Sequence, residues 1–334
     1  MTTLSLLVLV IIAALVFDFI NGFHDTANAI ATVVSTGVLR ARTAIIMAAT
    51  LNVVGAFLGT AVASTIGKDL LDPGQVTQQL VLAGLIAAII WNLFTWWFGI
   101  PSSSSHALVG GLVGAGWAAL GISAIKPEGI EKVIVALVFS PFFGFLASFL
   151  LMVGTYWIVR RTRPVVINKV FRRLQLLSSG FMAISHGSND AQKTMGVITM
   201  ALVSYEGTWD PMAKFPVPTW VVLACAIAMG LGTASGGWRI IKTMGSKIFK
   251  LRPIHGFCAE TGAAAVLQAA SAFGLPVSTT HCITAAIMGA GATTRLSAVS
   301  WGVTRRILWA WILTIPVSAL LGAGCYRLFI SVGI

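Results

Sequence analysis

Apolar runs of membrane-spanning length fill most of this chain and leave few fold classes open to it. A helix needs about 20 apolar residues to cross a bilayer. Only 10% of the 334 residues are charged, whereas soluble domains carry roughly 25%. A β-barrel is excluded because its strands alternate polar and apolar residues in segments of about ten. The chain is therefore predicted to be an all-α integral membrane protein with ten apolar segments, approximately at 4–39, 43–66, 79–98, 100–121, 131–159, 174–203, 217–238, 256–273, 276–294 and 306–331.

Basic residues in the loops predict how these segments are oriented. One cluster lies between segments five and six and another between seven and eight, and the positive-inside rule places both in the cytoplasm. The loops that contain acidic residues then fall outside, and so do both chain termini. The clusters comprise Arg160, Arg161, Arg163, Lys169, Arg172 and Arg173, and then Arg239, Lys242, Lys247, Lys250 and Arg252.

The same loops account for the net charge of +12, so the lipid bilayer is the predicted partner and nucleic acid is not. The four cysteines lie in apolar stretches without the spacing of metal ligands. We therefore predict neither a disulfide framework nor a cofactor.

Two polar strings interrupt the apolar segments, and each has a counterpart much later in the chain. GFHDTANA at 22–29 corresponds to GSNDAQKT at 187–194, and GIPSSSSH at 99–106 corresponds to GLPVSTTH at 274–281. Each string recurs five segments later, and because five is odd the two halves are predicted to be inverted. Inverted repeats with a site at their interface are typical of alternating-access transporters. The predicted units are a first repeat at 1–159, a basic cytoplasmic linker at 160–173 and a second repeat at 174–334.

The first pair of strings brings a carboxylate into an apolar segment in each half. Asp25 and Asp190 would each cost about 2.5–3.5 kcal/mol or more if left alone at membrane depth. Each therefore needs a cation, a proton or a hydrogen-bond network. Asn28 and Lys193 follow three residues after them, on the same helical face. A cation or proton site is predicted here, and the structural alternative is a buried aspartate that caps a kink.

Glycines in these strings predict a break in the first and sixth segments, both of which are long enough to contain one. Gly22 and Gly187, with nearby Asn21 and Asn189, would allow the backbone to unwind and to expose carbonyl oxygens as cation ligands.

The second pair of strings supplies hydroxyl groups in front of a helix. A proline breaks the chain in each, and a glycine-rich helix follows. A helix N-terminus with several hydroxyl donors is a site for an oxyanion, although one such hydroxyl would serve as an ordinary cap. The two turns are predicted to be the tips of re-entrant hairpins that line a cavity. The candidate anion ligands are Ser103, Ser104, Ser105, Ser278, Thr279 and Thr280.

An enzyme is not predicted. Ser105 and His106 are adjacent, and neighbouring side chains on a helix diverge by about 100°, so this histidine cannot readily act as a base toward that serine.

Two further acids lie in apolar segments. Glu260 is predicted either to neutralise Lys193 or to carry a coupling proton. Asp18 is expected to face an outer vestibule.

Together the strings closely resemble those of the inorganic phosphate transporter (PiT) family, and within it the bacterial low-affinity phosphate permeases. The similarity rests on NGFHDTANA at 21–29, on Gly-x-Asn-Asp at 187–190 and on PVSTTH at 276–281, and it covers about 18–311. It implies a secondary symporter that imports inorganic phosphate with protons or sodium across a bacterial inner membrane. A transporter of sulfate or another oxyanion, a metal–phosphate symporter and an anion channel remain alternatives.

The resemblance also implies residue roles. Asp25, Asn28 and Asp190 would serve the coupling ion and could hold sodium, and Asn189 and Glu260 are added to this set as predictions. The hydroxyls of the two turns would bind phosphate, and Gln192 and Lys193 are added to the phosphate ligands as predictions. One departure is that the family's repeated Asp-x-x-Asn pattern ends in Lys193 in the second half. A fixed charge there favours protons over sodium. Glycine-rich stretches allow helix packing between protomers, and a homodimer is predicted.

Overall fold

A computed structural model describes residues 3–333, so that Met1, Thr2 and Ile334 at the ends of the two predicted repeats lie outside the described residues. Within this range the chain forms helices and no strand, apart from one isolated bridge between Leu71 and Ile125. The α-helices are α1 (Thr3–Ser35), α2 (Ala41–Ala56), α3 (Ala61–Ser64), α4 (Gln78–Trp97), α5 (Ser104–Leu120), α6 (Pro127–Val159), α7 (Pro164–Glu206), α8 (Thr219–Ser235), α9 (Trp238–Lys242), α10 (Pro253–Ala272), α11 (Thr279–Ala292) and α12 (Trp301–Ser331).

The order of the elements from α1 to α6 recurs from α7 to α12. Short α3 and α9 each continue into a five-residue π-helix, Thr65–Asp69 and Thr243–Lys247. Short 3₁₀ turns, Ile122–Ala124 and Leu296–Ala298, follow α5 and α11. The duplicated strings thus lie on duplicated elements: the aspartates on α1 and α7, and the hydroxyl turns before α5 and α11.

Four helices are long and apolar enough to span a bilayer, namely α1, α4, α6 and α12. Two bent pairs raise the number of candidate spans in residues 3–333 to six: α2 with 61–69, bent by 68°, and α8 with 238–247, bent by 61°. The prediction of ten segments is therefore not confirmed. The predicted segments do lie on helices, but α5 and α11 have only 17 and 14 residues, and polar residues dilute the hydropathy of α7 and α10.

The break predicted in the first and sixth segments is wrong, because α1 and α7 are continuous over 33 and 43 residues. The glycines serve close helix packing instead. A Cβ on Gly22 would lie 2.4 Å from the carbonyl oxygen of Met229 on α8, and one on Gly187 would lie 2.2 Å from that of Asn52 on α2. The first helix of each half therefore crosses the second helix of the other half at backbone contact.

Helices of one half also pack against helices of the other half in the rest of the bundle. Helix α5 packs against α12, and α11 packs against α6. The turn after α10 is held by the first half, since Thr65 Oγ1 donates to Gly274 O at 2.8 Å. The turn after α4 is held by the second half, since Thr243 Oγ1 donates to Gly99 O at 3.0 Å. Both hydroxyl turns are thereby fixed in the interior.

We predict that Gly22→Ala lowers the stability of the protein by about 1–3 kcal/mol, because the added methyl group meets a helix backbone that cannot move aside. Gly154→Ala on α6 is the matched control, since nothing lies within 4 Å of its Cβ position. Thermal unfolding of the detergent-purified variants measures both changes. Equal melting temperatures for Gly22→Ala and the wild type would show that this close approach is not required.

Candidate substrate and cation site

Each hydroxyl turn is an N-terminal cap with additional hydroxyls beyond the cap. Ser103 Oγ accepts a hydrogen bond from the His106 N–H, and Ser278 Oγ accepts one from the His281 N–H, both at 3.2 Å. Both cap residues are extended, which is the conformation in which a serine side chain can reach the third residue of the helix. One serine in each turn is therefore explained by capping, and the following hydroxyls are left for other partners.

The two turns meet inside the protein. The rings of His106 and His281 are 4.3 Å apart in an edge-to-face arrangement, and His281 also stacks on Trp311 with ring centroids 3.8 Å apart. The N-termini of α5 and α11 thus converge from the two halves of the chain. Unpaired N–H groups and the positive ends of two helix dipoles lie together here, a combination that favours an anion. All of the candidate hydroxyl residues are buried, namely Ser103, Ser104, Ser105, Ser278, Thr279 and Thr280.

Asp25 contacts both turns. Ser104 Oγ donates to its Oδ2 at 2.9 Å, and Thr280 Oγ1 lies 3.4 Å from its Oδ1. His24 Nδ1 lies 2.6 Å from the same Oδ1. The carboxylate therefore joins α1 to the starts of α5 and α11. An ion bound to it would alter its hydrogen bonds to both turns.

Behind Asp25, His24 contacts a pair of hydroxyls, of which sequence reasoning did not single out Thr95. His24 Nε2 is 3.1 Å from Thr95 Oγ1, and Ser102 Oγ donates to Thr95 at 2.7 Å. These contacts fix the imidazole ring against the end of α4. Thr95 gave no signal in the sequence because it lies in an otherwise apolar segment, outside every duplicated string.

Asn28 reaches the second turn from the first half. Its Nδ2 donates to Thr279 Oγ1 at 3.1 Å and to Thr280 Oγ1 at 2.9 Å. Its Oδ1 is buried and accepts no hydrogen bond from the described residues. An amide oxygen of this kind is a suitable ligand for a hard cation.

Asp190 lies at the matching position of the second half and also has three partners, one of which is a lysine. Lys193 Nζ donates to its Oδ1, Thr279 Oγ1 donates to its Oδ2 at 3.0 Å, and His186 Nε2 lies 3.1 Å from the same oxygen. Predicted Asn189 points elsewhere, because its Nδ2 donates to Ser271 Oγ at 2.8 Å.

The structure brings the two aspartates together with a histidine. One ligand atom from each of Asp25, His186 and Asp190 lies within 4.8 Å of the others, and all three residues are buried. A cation between them would be bound by oxygen and nitrogen ligands in a space shielded from water. His186 was not among the predicted site residues, although its position four residues before Asp190 places both on one helical face.

Lys193 uses all of its donors on protein oxygens. Its ammonium group donates to the Asp190 carboxylate, to Ser105 Oγ at 2.5 Å and to the Val277 carbonyl at 3.0 Å. An ammonium group has three N–H bonds, so this residue, predicted as a phosphate ligand, has no donor left over here.

Gln192, also predicted as a phosphate ligand, faces the break between α2 and α3. Its Oε1 accepts from the Val62 N–H at 2.8 Å, and its Nε2 donates to the Ser188 carbonyl at 2.5 Å. Its amide therefore holds the start of α3 against α7.

Glu260 is fully buried in a separate cluster on α10. Its carboxylate accepts from Thr32 Oγ1 at 2.5 Å, from Gln175 Nε2 at 3.0 Å and from Ser178 Oγ. Only neutral groups donate to it within the described part of the chain, and Lys193 forms its ion pair with Asp190 instead. The alternative in which Glu260 neutralises Lys193 is therefore wrong.

The expectation that Asp18 faces an outer vestibule is also wrong. Its side chain is fully buried, and Thr194 Oγ1 donates to its Oδ1 at 3.0 Å. The prediction failed because position in the chain does not reveal which face of α1 the neighbouring helix α7 covers.

The contacts of the two hydroxyl turns with Asp25, Asn28, Asp190 and Lys193 form one polar cluster at the junction of the halves. Hydroxyl groups and helix N-termini suited to an oxyanion lie next to carboxylates suited to a cation, with Asp25 and Thr279 in contact with members of both sets. An arrangement of this kind can bind an anion and a cation together, each lowering the free energy of the other in a medium of low dielectric constant.

Comparisons with known proteins identify the family of the chain. Residues 21–322 match the Phosphate transporter family. The chain is 52% identical to a probable low-affinity inorganic phosphate transporter of Rhizobium meliloti over 96% of both chains, and 50% identical to one of Bacillus subtilis over 97% of both. It is also similar to a solved structure, "The sodium-dependent phosphate transporter", with a TM-score of 0.87 at 26% identity, covering 97% of this chain and 99% of that one.

The family match covers nearly the whole chain, and the matched relatives are named as transporters and not as enzymes. With its several apolar helices, the chain is a multi-pass membrane protein, and it belongs to the phosphate transporter family.

Proposed function

We propose that this protein is a secondary active symporter that imports inorganic phosphate by coupling it to protons or sodium through alternating access. Phosphate binds between the two hydroxyl turns, and the coupling ion binds at the aspartates. The observation that carries the proposal is that Asp25 accepts hydrogen bonds from Ser104 of one turn and Thr280 of the other. Binding of a cation at Asp25 thus changes the hydroxyls that face the anion.

Phosphate suits the space between the turns for a physical reason. It is a tetrahedral anion that accepts hydrogen bonds in several directions, and the turns offer hydroxyl and N–H donors from both halves. Neutral donors bind the anion without adding a fixed positive charge, so that release remains possible. The relatives named as low-affinity transporters are consistent with such a site.

Alternating access requires two halves that move relative to one another, and we infer that these are inverted repeats at 1–159 and 174–334 with a cytoplasmic linker at 160–173. The repeated order of elements and the exchange of contacts between α1 and α8 and between α7 and α2 support this division. The hydroxyl turns are then re-entrant tips near mid-membrane, and both termini lie outside.

The coupling ion in this proposal is held by Asp25, His186 and Asp190, with the free amide oxygen of Asn28 nearby. The structural neighbour is named sodium-dependent, which supports a cation as the coupling ion. Glu260 is the second candidate for a coupling proton, because it is a buried carboxyl group whose donors among residues 3–333 are all neutral.

Gradient-driven accumulation is the test of this function. In proteoliposomes, the wild-type protein should concentrate labelled phosphate above the external level under an imposed proton or sodium gradient. Asp25→Asn and Asp190→Asn should each reduce this accumulation to the equilibrium level, because a neutral amide no longer needs a cation. An anion channel would give flux without accumulation in the wild type, and wild-type accumulation by both variants would remove the aspartates from the mechanism. Competition by excess sulfate, and uptake with and without magnesium, separate the other candidate substrates.

A hydroxyl substitution tests the anion site more directly. Thr280→Val removes a group that contacts both Asn28 and Asp25, and hydrogen bonds to charged groups contribute about 1.5–3 kcal/mol. Its kcat/KM for phosphate uptake should therefore fall roughly 10- to 100-fold. The matched control is Thr284→Val one turn later, whose buried hydroxyl has no partner among the described residues. Equal losses in the two variants would contradict a specific role for Thr280.

A further inference from the structure

We propose that the ammonium group of Lys193 is a tethered cation that permanently occupies one of two equivalent cation positions, and so reduces by one the number of coupling cations carried with each phosphate. This inference rests on the proposed symport function and specifies its stoichiometry. It assigns Lys193 to the cation side of the site and not to the bound anion.

The coordination of the ammonium group is the first argument. Nζ is surrounded by a carboxylate of Asp190, the hydroxyl of Ser105 and the carbonyl of Val277. Carboxylate, hydroxyl and carbonyl oxygens are the ligands that a hard metal cation takes in proteins. The lysine is only 2% exposed, so its charge is compensated by these oxygens and not by water.

The other half of the chain provides the comparison that identifies the position. Asn28 follows Asp25 by three residues, as Lys193 follows Asp190. Asn28 brings no charge, and its Oδ1 has no donor among the described residues. The first half thus offers a carboxylate and a free amide oxygen, while the second half offers a carboxylate that already holds a cation. The two halves are equivalent in position and differ by one charge.

Counting charges at the site gives the consequence. Asp25, Asp190 and Lys193 together leave one net negative charge when Asp18 and the neighbouring histidines are neutral. A single monovalent cation, bound between Asp25, His186 and Asp190, neutralises the cluster before the anion arrives. With an uncharged residue at position 193, the same cluster would carry two negative charges and would take up two cations, because an uncompensated charge in this environment is strongly unfavourable.

Lys193 also connects the two turns. It holds Ser105 at the start of α5 and the carbonyl of Val277 just before α11. A mobile cation at this point would leave during each cycle, whereas a tethered one keeps both turns attached to α7 throughout. Its three N–H groups are all used in this way, so that none of them is left for the anion.

The test measures coupling stoichiometry in variants that change the charge in opposite directions. In proteoliposomes, the logarithm of the phosphate accumulation ratio is plotted against the logarithm of the imposed cation gradient, with separate proton and sodium arms at zero membrane potential. The slope gives the number of cations per phosphate. Lys193→Asn, which copies the first half, should raise the slope by one. Asn28→Lys, which copies the second half, should lower it by one. Lys214→Asn, in the exposed loop after α7, is the control that removes a lysine elsewhere and should keep the wild-type slope.

A binding measurement covers the case in which a variant does not transport. Purified Lys193→Asn should melt at a lower temperature than the wild type in the absence of added cation, and should regain more stability than the wild type as sodium or acid is added. An unchanged slope in an active Lys193→Asn variant would overturn the inference, as would cation-independent melting of an inactive one. Failure of the wild type to accumulate phosphate would instead overturn the proposed symport function, and the melting comparison would still decide the role of Lys193.

Discussion

The presence of two carboxylates, Asp25 and Asp190, deep inside an apolar helix bundle is the constraint on which the rest of the structure depends. Both are at most 2% exposed, and a carboxylate in such a place is tolerated only with donors or counter-ions around it. Hydroxyl donors come from the turns before α5 and α11. Because the carboxylates need these donors, both turns lie in the centre of the bundle. Short helices, extended caps and buried hydroxyls, which would be unfavourable elsewhere in a membrane protein, are stabilised here because they solvate these two charges.

The packing of the bundle also brings the two carboxylates together, because helices of one half pack against helices of the other. Gly22 and Gly187 allow α1 and α7 to touch the backbone of α8 and α2, so that the two aspartate-bearing helices lie close enough for their side chains to form one cluster. The turns are held in the same crossed manner, with Thr65 on Gly274 and Thr243 on Gly99. Each half therefore positions the hydroxyls of the other, and neither half contains a complete site of its own.

Much of this could be predicted from the sequence, and the exceptions have a common cause. The duplicated strings predicted a helix after each hydroxyl turn, and the structure has these helices, although they begin within the strings, at Ser104 and Thr279. The two carboxylates of the strings each have an oxygen within 4.8 Å of the other. The predictions that failed depended on the direction of a side chain or on close packing. Gly22 and Gly187 suggested broken helices, because the sequence shows a flexible residue but not the backbone against which it packs. Asp18 is buried because α7 covers that face of α1, and Gln192 turns toward α3. Rotations of a helix about its axis decide such contacts, and apolar periodicity is too weak to fix them in a helix that is apolar all round.

The asymmetry between the halves matters more for mechanism than their similarity. Asp25 accepts hydrogen bonds from the hydroxyls of Ser104 and Thr280 and lies beside His24, whereas Asp190 is paired with a lysine that cannot leave. Glu260 is a further acidic residue that differs from Asp190 in this respect. It accepts hydrogen bonds from Gln175 and Thr32 but has no cationic partner in the described chain. If the two halves exchange roles during transport, the two orientations of the protein must differ in free energy when the coupling ion is absent. The reason is that, of the two aspartates, Asp190 has a permanent counter-charge and Asp25 does not. In the proposed symport cycle, a cation bound at Asp25 restores the balance between them. There the coupling ion both compensates the anion and makes the two orientations of the protein comparable in free energy, which is the condition for a reversible cycle.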